Sequence, residues 1–176
     1  MFHELILLRH AKSAWPVGIR DTQRPLSARG RRDATRFGHV LGSEWERPEA
    51  AFVSPAVRTR ETWDVVCEHS GINPTIATFD DRLYAATWWD VLDVIRGIAE
   101  DCSRAIVIGH NPAMEDLAGQ LANEHSDGQA IRELRVKYPT CAAARIHSDE
   151  NWARWGGQCG TLTQFWTPRQ HGSHWQ

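Results

Sequence analysis

The sequence predicts an α/β fold, a three-layer sandwich in which helices cover both faces of a mostly parallel central sheet. Continuous apolar runs at residues 5–8 and 105–108 are typical of strands that are buried on both faces. Segments with the apolar spacing of amphipathic helices alternate with these runs, as residues 27–41 and 87–99 illustrate. This alternation of strand and helix favours parallel strands that are joined by crossover helices.

The predicted elements have start and stop signals of their own. Residues 11–25 lack periodicity and form a loop, after which Ser27 offers an N-cap for the first helix. Gly71 is a stop signal for a helix, and Pro112 suits the first turn of a later one. We expect the polar residues 123–140 to be irregular. The remaining elements are a strand at 50–53, a helix at 56–68, an edge strand at 76–79, and late strands at 141–147 and 161–166 that extend the sheet.

Composition limits the number of domains and the class of partner. The chain has 176 residues, 41% of them hydrophobic and 24% charged, which fits a single domain over residues 1–176. Its formal net charge of −2 provides no basic field for nucleic acid, and Lys12 and Lys137 are the only lysines. No apolar segment is long enough for a membrane span. We therefore expect a cytoplasmic protein with neither a nucleic acid nor a membrane as partner.

Cysteine and tryptophan are interpreted as packing residues. The four cysteines contain no CxxC pair, which favours small buried side chains over a metal site. Nine tryptophans are many for this length, and four of them lie near the C-terminus: Trp152, Trp155, Trp166 and Trp175. Aromatic packing over the sheet is a more general explanation for them than ligand stacking.

Basic side chains follow three predicted strands at their C-terminal ends. Arg9 and His10 close the first strand, Arg58 lies in the first turns of the helix after the second, and His110 follows a third. Parallel strands end at one edge of the sheet, so we expect these side chains to meet where α/β proteins bind ligands. Arg60 points away from the helix face of Arg58 and is not chosen. Two guanidiniums and two imidazoles without a carboxylate suit phosphate or another oxyanion.

Four motifs carry a family resemblance. They are LLRHAKS, DTQRPLSARG, SPAVRTRET and VIGHNP, and each lies at or near a junction between strand and helix. In order and spacing they resemble the histidine phosphatase superfamily and, within it, the small SixA-type phosphohistidine phosphatases. The resemblance covers nearly the whole chain. It implies a phosphoglycerate mutase-like fold and catalysis that needs neither a metal ion nor another cofactor.

The resemblance also implies a role for each matched residue. His10 is the nucleophile that attacks phosphorus and becomes a phosphohistidine, while Arg9, Arg58 and His110 hold the nonbridging oxygens. Neutral imidazole is a competent nucleophile near its unperturbed pKa of about 6.5. Neighbouring arginines disfavour the charged imidazolium, so we expect His10 to be neutral and reactive.

Weaker candidates come from the same motifs. Asp21 and Arg24 match the family pattern DxxRPLxxRG, and we favour an ion pair that fixes the turn over direct contact with substrate. Asp21 is nevertheless kept as a candidate for substrate binding and for proton donation. Asn111, from the fourth motif, is a further candidate for substrate binding.

One departure from the larger relatives bears on the substrate. Mutases and acid phosphatases of the superfamily carry an acidic residue, used as general acid, roughly where this chain has Tyr84 and Ala85. An alkoxide leaving group needs a strong proton donor, whereas the imidazole of phosphohistidine leaves readily once it is protonated. The absence of a carboxylate at this place therefore favours a phosphoramidate substrate.

The predicted function is a phosphatase that removes phosphate from phosphohistidine on a protein, with a histidine phosphotransfer domain as a candidate partner. The short connection from Arg58 to His110 leaves no lid, so we expect a shallow pocket walled by residues 12–25 and 124–137. Two alternatives stay open. One is a broad phosphomonoesterase on small phosphate esters, and the other is a module that binds phosphorylated proteins without turnover. The intact set of basic residues argues against the second.

Overall fold

A computed structural model describes residues 2–169. Its sheet has six strands in the order β3-β2-β4-β1-β5-β6. The first four of these are parallel to one another, while β5 and β6 are antiparallel to their neighbours. This confirms the predicted α/β fold with a mostly parallel sheet. The strands are β1 His3–Arg9, β2 Ala50–Val53, β3 Ala77–Phe79, β4 Arg104–Gly109, β5 Ala143–Ser148 and β6 Thr161–Trp166.

Helices cover both faces of the sheet. Leu5 and Leu7 pack with the core on one face, and Ile6 and Leu8 pack with the core on the other. Side chains of a strand alternate between the faces, so a strand with a core on both sides is apolar at every position. Helices α1 and α2 contribute to the second core, and α3, α4 and α5 to the first. The helices are α1 Ala28–Ser43, α2 Val57–Ser70, α3 Trp88–Arg96, α4 Ala113–Leu121 and α5 Gly128–Val136.

Most predicted signals operate as expected. The hydroxyl of Ser27 accepts a hydrogen bond from the Gly30 backbone N–H, and α2 ends at Gly71, which has φ +71°. A Cβ at Gly30 would lie 2.1 Å from the carbonyl oxygen of Lys12. Only glycine therefore lets the first turn of α1 approach the backbone that follows His10.

Helix α5 lies within residues 123–140, so the prediction that this segment is irregular is wrong. The carboxylate of Asp127 caps the helix by accepting hydrogen bonds from the backbone N–H groups of Gln129 and Ala130. Only Ala130 and Leu134 of this helix are buried, so its apolar stripe is too thin to dominate the sequence pattern.

The late strand predicted at 141–147 begins two residues further on. Cys141 has φ +63°, which is outside the extended region of a strand. Its backbone N–H lies within hydrogen-bond distance of the carbonyl oxygens of both Arg9 and His10. The chain therefore anchors the end of β1 before it enters the sheet.

The tryptophans mainly pack, as expected. Trp63, Trp152 and Trp155 are fully buried, while Trp15 is exposed. The prediction for Trp175 lies outside the described residues. No helix within residues 2–169 is long and apolar enough to cross a membrane.

Candidate active site

The C-terminal ends of β1, β2 and β4 bring the predicted residues together. Strand β4 lies between the other two, with Arg9 in register with Gly109 and Val53 in register with Ile108. The residues immediately after these strands therefore emerge at one edge of the sheet. The rings of His10 and His110 have their centroids 5.2 Å apart.

His10 is buried, and the hydrogen bond to its ring identifies its tautomer. Its Nδ1 lies 2.7 Å from the carbonyl oxygen of Ala11. A carbonyl oxygen only accepts, so Nδ1 carries the proton and Nε2 carries the lone pair. Burial, which the charges of His110, Arg58 and Arg9 reinforce and the hydrogen bond to Ala11 opposes, lowers the pKa of His10 to about 3. The imidazole is thus neutral near pH 7 and nucleophilic at Nε2.

His110 has the opposite tautomer. Its Nδ1 lies 3.3 Å from Nη2 of Arg58, and its Nε2 lies 2.7 Å from the hydroxyl oxygen of Ser54. A guanidinium only donates, so Nδ1 accepts and the proton is on Nε2, which donates to Ser54. Burial lowers the pKa of His110 to about 4; the charge of Arg58 acts in the same direction and that of Asp21 opposes it.

Arg58 is buried and is held by Asp21. Its Nη1 donates to the Asp21 carbonyl oxygen at 2.7 Å, and its Nη2 donates to the carboxylate at 3.1 Å. By contrast, Arg60 is exposed and lies over the ring of Phe79, 4.2 Å from its centroid. The structure therefore brings Arg58 to the strand ends and leaves Arg60 outside, as the helical spacing predicted.

Asp21 is the acceptor for several donors. Its carboxylate accepts from the hydroxyl of Tyr84 and from Nη1 of Arg24, each at 2.8 Å, as well as from Arg58. The hydrogen bond from Tyr84, followed by those from the arginines, lowers the pKa of Asp21 to about 2. An ionised carboxylate between two guanidiniums fits the turn-fixing ion pair, and it cannot donate a proton near pH 7.

Arg9 and Asn111 meet at one backbone carbonyl. Nη1 of Arg9 donates to the carbonyl oxygen of Tyr138 at 2.8 Å, and the Asn111 amide donates to the same oxygen at 3.2 Å. That amide also donates to Glu115 at 2.8 Å, so Asn111 joins the start of α4 to the chain before β5. Its contact with substrate stays a prediction. Within residues 2–169, the buried Nε of Arg9 has no hydrogen-bond partner.

Sequence reasoning missed three residues that position the others. Ser54 accepts from His110, as described above, and the ring of Tyr84 packs edge-on against that of His110 with centroids 5.7 Å apart. Thr62 accepts from the backbone N–H of Ala11 and donates to the carbonyl of Arg58. Ser54 and Thr62 lie in the third motif, so the polar residues of that motif could have indicated their roles. For Tyr84, the sequence showed only that no carboxylate is present at residues 84 and 85.

The strand-end cluster, Arg9, His10, Arg58 and His110, is rich in hydrogen-bond donors and suits a tetrahedral anion. Guanidiniums make strong charge-assisted hydrogen bonds to phosphate oxygens. No group of three or more side chains in the described range has the arrangement of a metal site. The arrangement therefore places a neutral imidazole beside groups that can bind a phosphate.

Comparison with known proteins identifies the family of this chain. The model of the histidine phosphatase superfamily (branch 1) matches residues 5–84. An uncharacterized protein of Mycobacterium tuberculosis is 34% identical over 163 residues, which cover 92% of this chain and 100% of that protein.

Solved structures agree with this result. A SixA-type protein of Nakamurella multipartitia is 27% identical with a TM-score of 0.82, covering 96% of this chain and 97% of that one. The protein histidine phosphatase SixA, solved with tungstate, is 20% identical with a TM-score of 0.77 over 95% of this chain and 98% of that one, a likeness in fold. The chain therefore belongs to the histidine phosphatase superfamily, as a member of its SixA type. This membership supports phosphatase activity.

Proposed function

We propose that this protein removes phosphate from phosphohistidine on a protein, through a phosphohistidine intermediate on His10 and without a metal ion. The observation that carries the proposal is the state of His10. Its Nδ1–H is bound to the Ala11 carbonyl and its pKa is about 3, so a neutral ring offers the Nε2 lone pair beside two guanidiniums.

In the first step, Nε2 of His10 attacks phosphorus and the bond from phosphorus to the substrate nitrogen breaks. The leaving imidazole takes the electron pair of that bond and is neutral because its ring was protonated beforehand. His10 becomes a phosphoimidazolium whose Nδ1–H still donates to Ala11, which stabilises the positive charge. This charged ring is in turn a good leaving group.

In the second step, water attacks phosphorus and the bond to Nε2 breaks, which returns the electron pair and the neutral ring of His10. The proton of the water passes to the phosphate or to solvent. Arg9 and Arg58 hold the nonbridging oxygens through both steps. A bound phosphate dianion raises the pKa of His110 above its resting value of about 4 and makes the ring a better donor to phosphate.

The proton donors of the site favour a substrate with a phosphorus–nitrogen bond over one with a phosphorus–oxygen bond. In the described range, Asp21 has the only carboxylate that hydrogen-bonds to a residue of the cluster; its pKa is about 2 and it accepts from three side-chain donors. The hydroxyl of Tyr84 already donates a hydrogen bond to Asp21, and this hydrogen bond raises the pKa of the phenol. Neither group readily protonates an alkoxide, whereas the nitrogen of phosphohistidine brings its own ring proton.

The deciding experiment measures phosphate release from a phosphohistidine-bearing phosphotransfer protein. We expect release by the wild type and none above background by His10→Ala, while His125→Ala, which changes an exposed histidine, serves as the matched control. Mass spectrometry of a rapidly quenched, alkaline sample should find phosphate on His10. A chelator should leave the rate unchanged.

Three outcomes would contradict the proposal. Equal release by the wild type and His10→Ala would remove His10 as nucleophile. Rapid turnover of sugar phosphates with none of the phosphohistidine protein would favour the broad phosphomonoesterase. Binding of the phosphorylated protein without release would favour the non-catalytic module.

A further inference from the structure

A basic groove lies next to the strand-end cluster. It has a volume of about 560 Å³ and runs between the start of α1, the end of α5 and the chain after β6. Arg9 lines it, so it begins at the residue beside His10. Six basic side chains line the groove: Arg9, Lys12, Arg29, Arg132, Lys137 and Arg169.

The charge of this groove contrasts with that of the chain. The formal net charge is −2, yet both lysines of the sequence line this one groove. Glu133 is the one carboxylate among its lining residues, and it accepts a hydrogen bond from Gln129. Within residues 2–169, no ion pair joins a carboxylate to Lys12, Arg132 or Lys137. These cations are therefore available to an outside anion.

The apolar side chains of the groove favour a protein as the partner that carries the anionic groups. Val136, next to Lys137 in the chain, is 86% exposed, and Pro139 and Pro168 also line the groove. Phe165, the aromatic residue among the lining residues, is only 7% exposed and offers no platform for stacking bases. Cations around an exposed aliphatic side chain match a mixed acidic and apolar protein surface.

We infer that this basic groove docks an acidic segment of the phosphorylated protein and thereby guides its phosphohistidine to His10. The inference rests on the proposed function and adds to it a class of substrate, a phosphohistidine with acidic residues nearby. Charge complementarity at such a surface mainly accelerates association and selects partners.

The test uses two synthetic phosphohistidine peptides of equal length, one flanked by aspartate and glutamate and the other by glutamine and serine. The variant is Arg132→Glu combined with Lys137→Glu, at two exposed positions of the groove. Arg135→Glu is the matched control, because Arg135 lies on the same helix but lines a different groove.

At low salt we expect the wild type to prefer the acidic peptide by about tenfold in kcat/KM, which corresponds to a few surface charge pairs. The double variant should lose this preference and Arg135→Glu should keep it. The rate with free phosphoramidate should be the same in all three proteins. Equal rates for both peptides in the wild type, or an equal loss in Arg135→Glu, would overturn the inference.

A second measurement separates docking from chemistry. Fluorescence anisotropy of the unphosphorylated acidic peptide needs no turnover, and we expect binding that the double variant and added salt both weaken. Displacement by a single-stranded oligonucleotide at matched charge would overturn the choice of a protein partner. If no peptide and no phosphoramidate releases phosphate, the proposed function fails, while anisotropy still decides whether the groove binds acidic protein segments.

Discussion

The two ends of β1 carry ionisable side chains in opposite electrostatic settings. At the N-terminal end, the buried carboxylate of Glu4 accepts from Nε of Arg145 at 2.9 Å and from Nε2 of His147 at 2.8 Å. At the C-terminal end, Arg9 donates to a backbone carbonyl, and no carboxylate in the described range forms an ion pair with it. One end neutralises its charge within the fold, and the other retains positive charge for an outside anion.

The pKa values express the same difference. Burial by itself would raise the pKa of Glu4, but hydrogen bonds from His147 and Arg145 outweigh it and keep the pKa below the usual 4.5. At the other end, burial together with the neighbouring arginines lowers the pKa of His10. The charged form is stabilised at the first end, whereas at the second the neutral, nucleophilic form is stabilised. Burial alone therefore does not distinguish a structural group from a reactive one, but the partners of the group do.

The largest expected effect is at the phosphate end. Arg58→Ala should lower kcat/KM by about 10²–10³-fold, since a charged donor to the transferring phosphoryl group is lost. Arg60→Ala is the control from the same helix, and its activity should equal that of the wild type. Steady-state kinetics with phosphoramidate measures both. Equal losses in the two variants would show that Arg58 acts only through the stability of α2.

As the pH falls, the stability that His10 and His110 contribute should be lost before the stability that Glu4 contributes. The unfolded chain protonates His10 and His110 near pH 6.5, whereas the folded protein does so only near pH 3 and 4. Their contribution to stability is therefore complete above pH 6.5 and is lost as the pH falls, by at most about 1.4 kcal/mol per histidine and pH unit. The ionised Glu4 stabilises the fold above about pH 4.5, so its loss follows at lower pH.

Urea unfolding at pH 7, 6 and 5 tests this order. The double variant His10→Gln, His110→Gln should lose less unfolding free energy between pH 7 and 5 than the wild type does. The readout is the slope with pH, so a uniform loss of stability in the variant does not affect it. Parallel slopes for the two proteins would contradict the neutral state of the two imidazoles.

The glutamate end should affect stability and not catalysis. Glu4→Gln leaves Arg145 and His147 without their shared anion and should lower the unfolding free energy by about 2 kcal/mol. At a temperature where the variant is folded, kcat should be unchanged. Glu68→Gln, at an exposed position of α2, is the control for urea unfolding. A fall in kcat with unchanged stability would place Glu4 in the site.

The smallest expected effect is at Asp21, which positions Arg58 without being expected to touch the phosphate. Asp21→Asn keeps the backbone carbonyl that accepts from Arg58 and removes the carboxylate charge, so we expect a loss of about tenfold in kcat/KM. Comparison with Arg58→Ala in a double-mutant cycle should give a combined loss smaller than the product of the two. Independent, multiplying losses would show that Asp21 acts through another residue.

Much of the fold was predictable because its signals are local. The apolar run at 5–8, the Ser27 cap and the Gly71 stop each depend on neighbouring residues, and all three operate in the structure. Helix α5 was missed because its stability depends on Ala130 and Leu134 packing against elements far away in the chain. A thin apolar stripe becomes meaningful only when the surface that covers it is known.

By itself, the sequence determined the strand ends, the motif residues Arg9, His10, Arg58 and His110, and the family to which they belong. The tertiary structure alone decided how these residues are paired. The tautomers of both histidines, the engagement of Asp21 by Tyr84 and the basic groove beside Arg9 all depend on contacts between distant segments. The physical reason is that residue type sets which protons a group can exchange, while burial and hydrogen-bond partners set its pKa and decide which of its atoms donate and which accept.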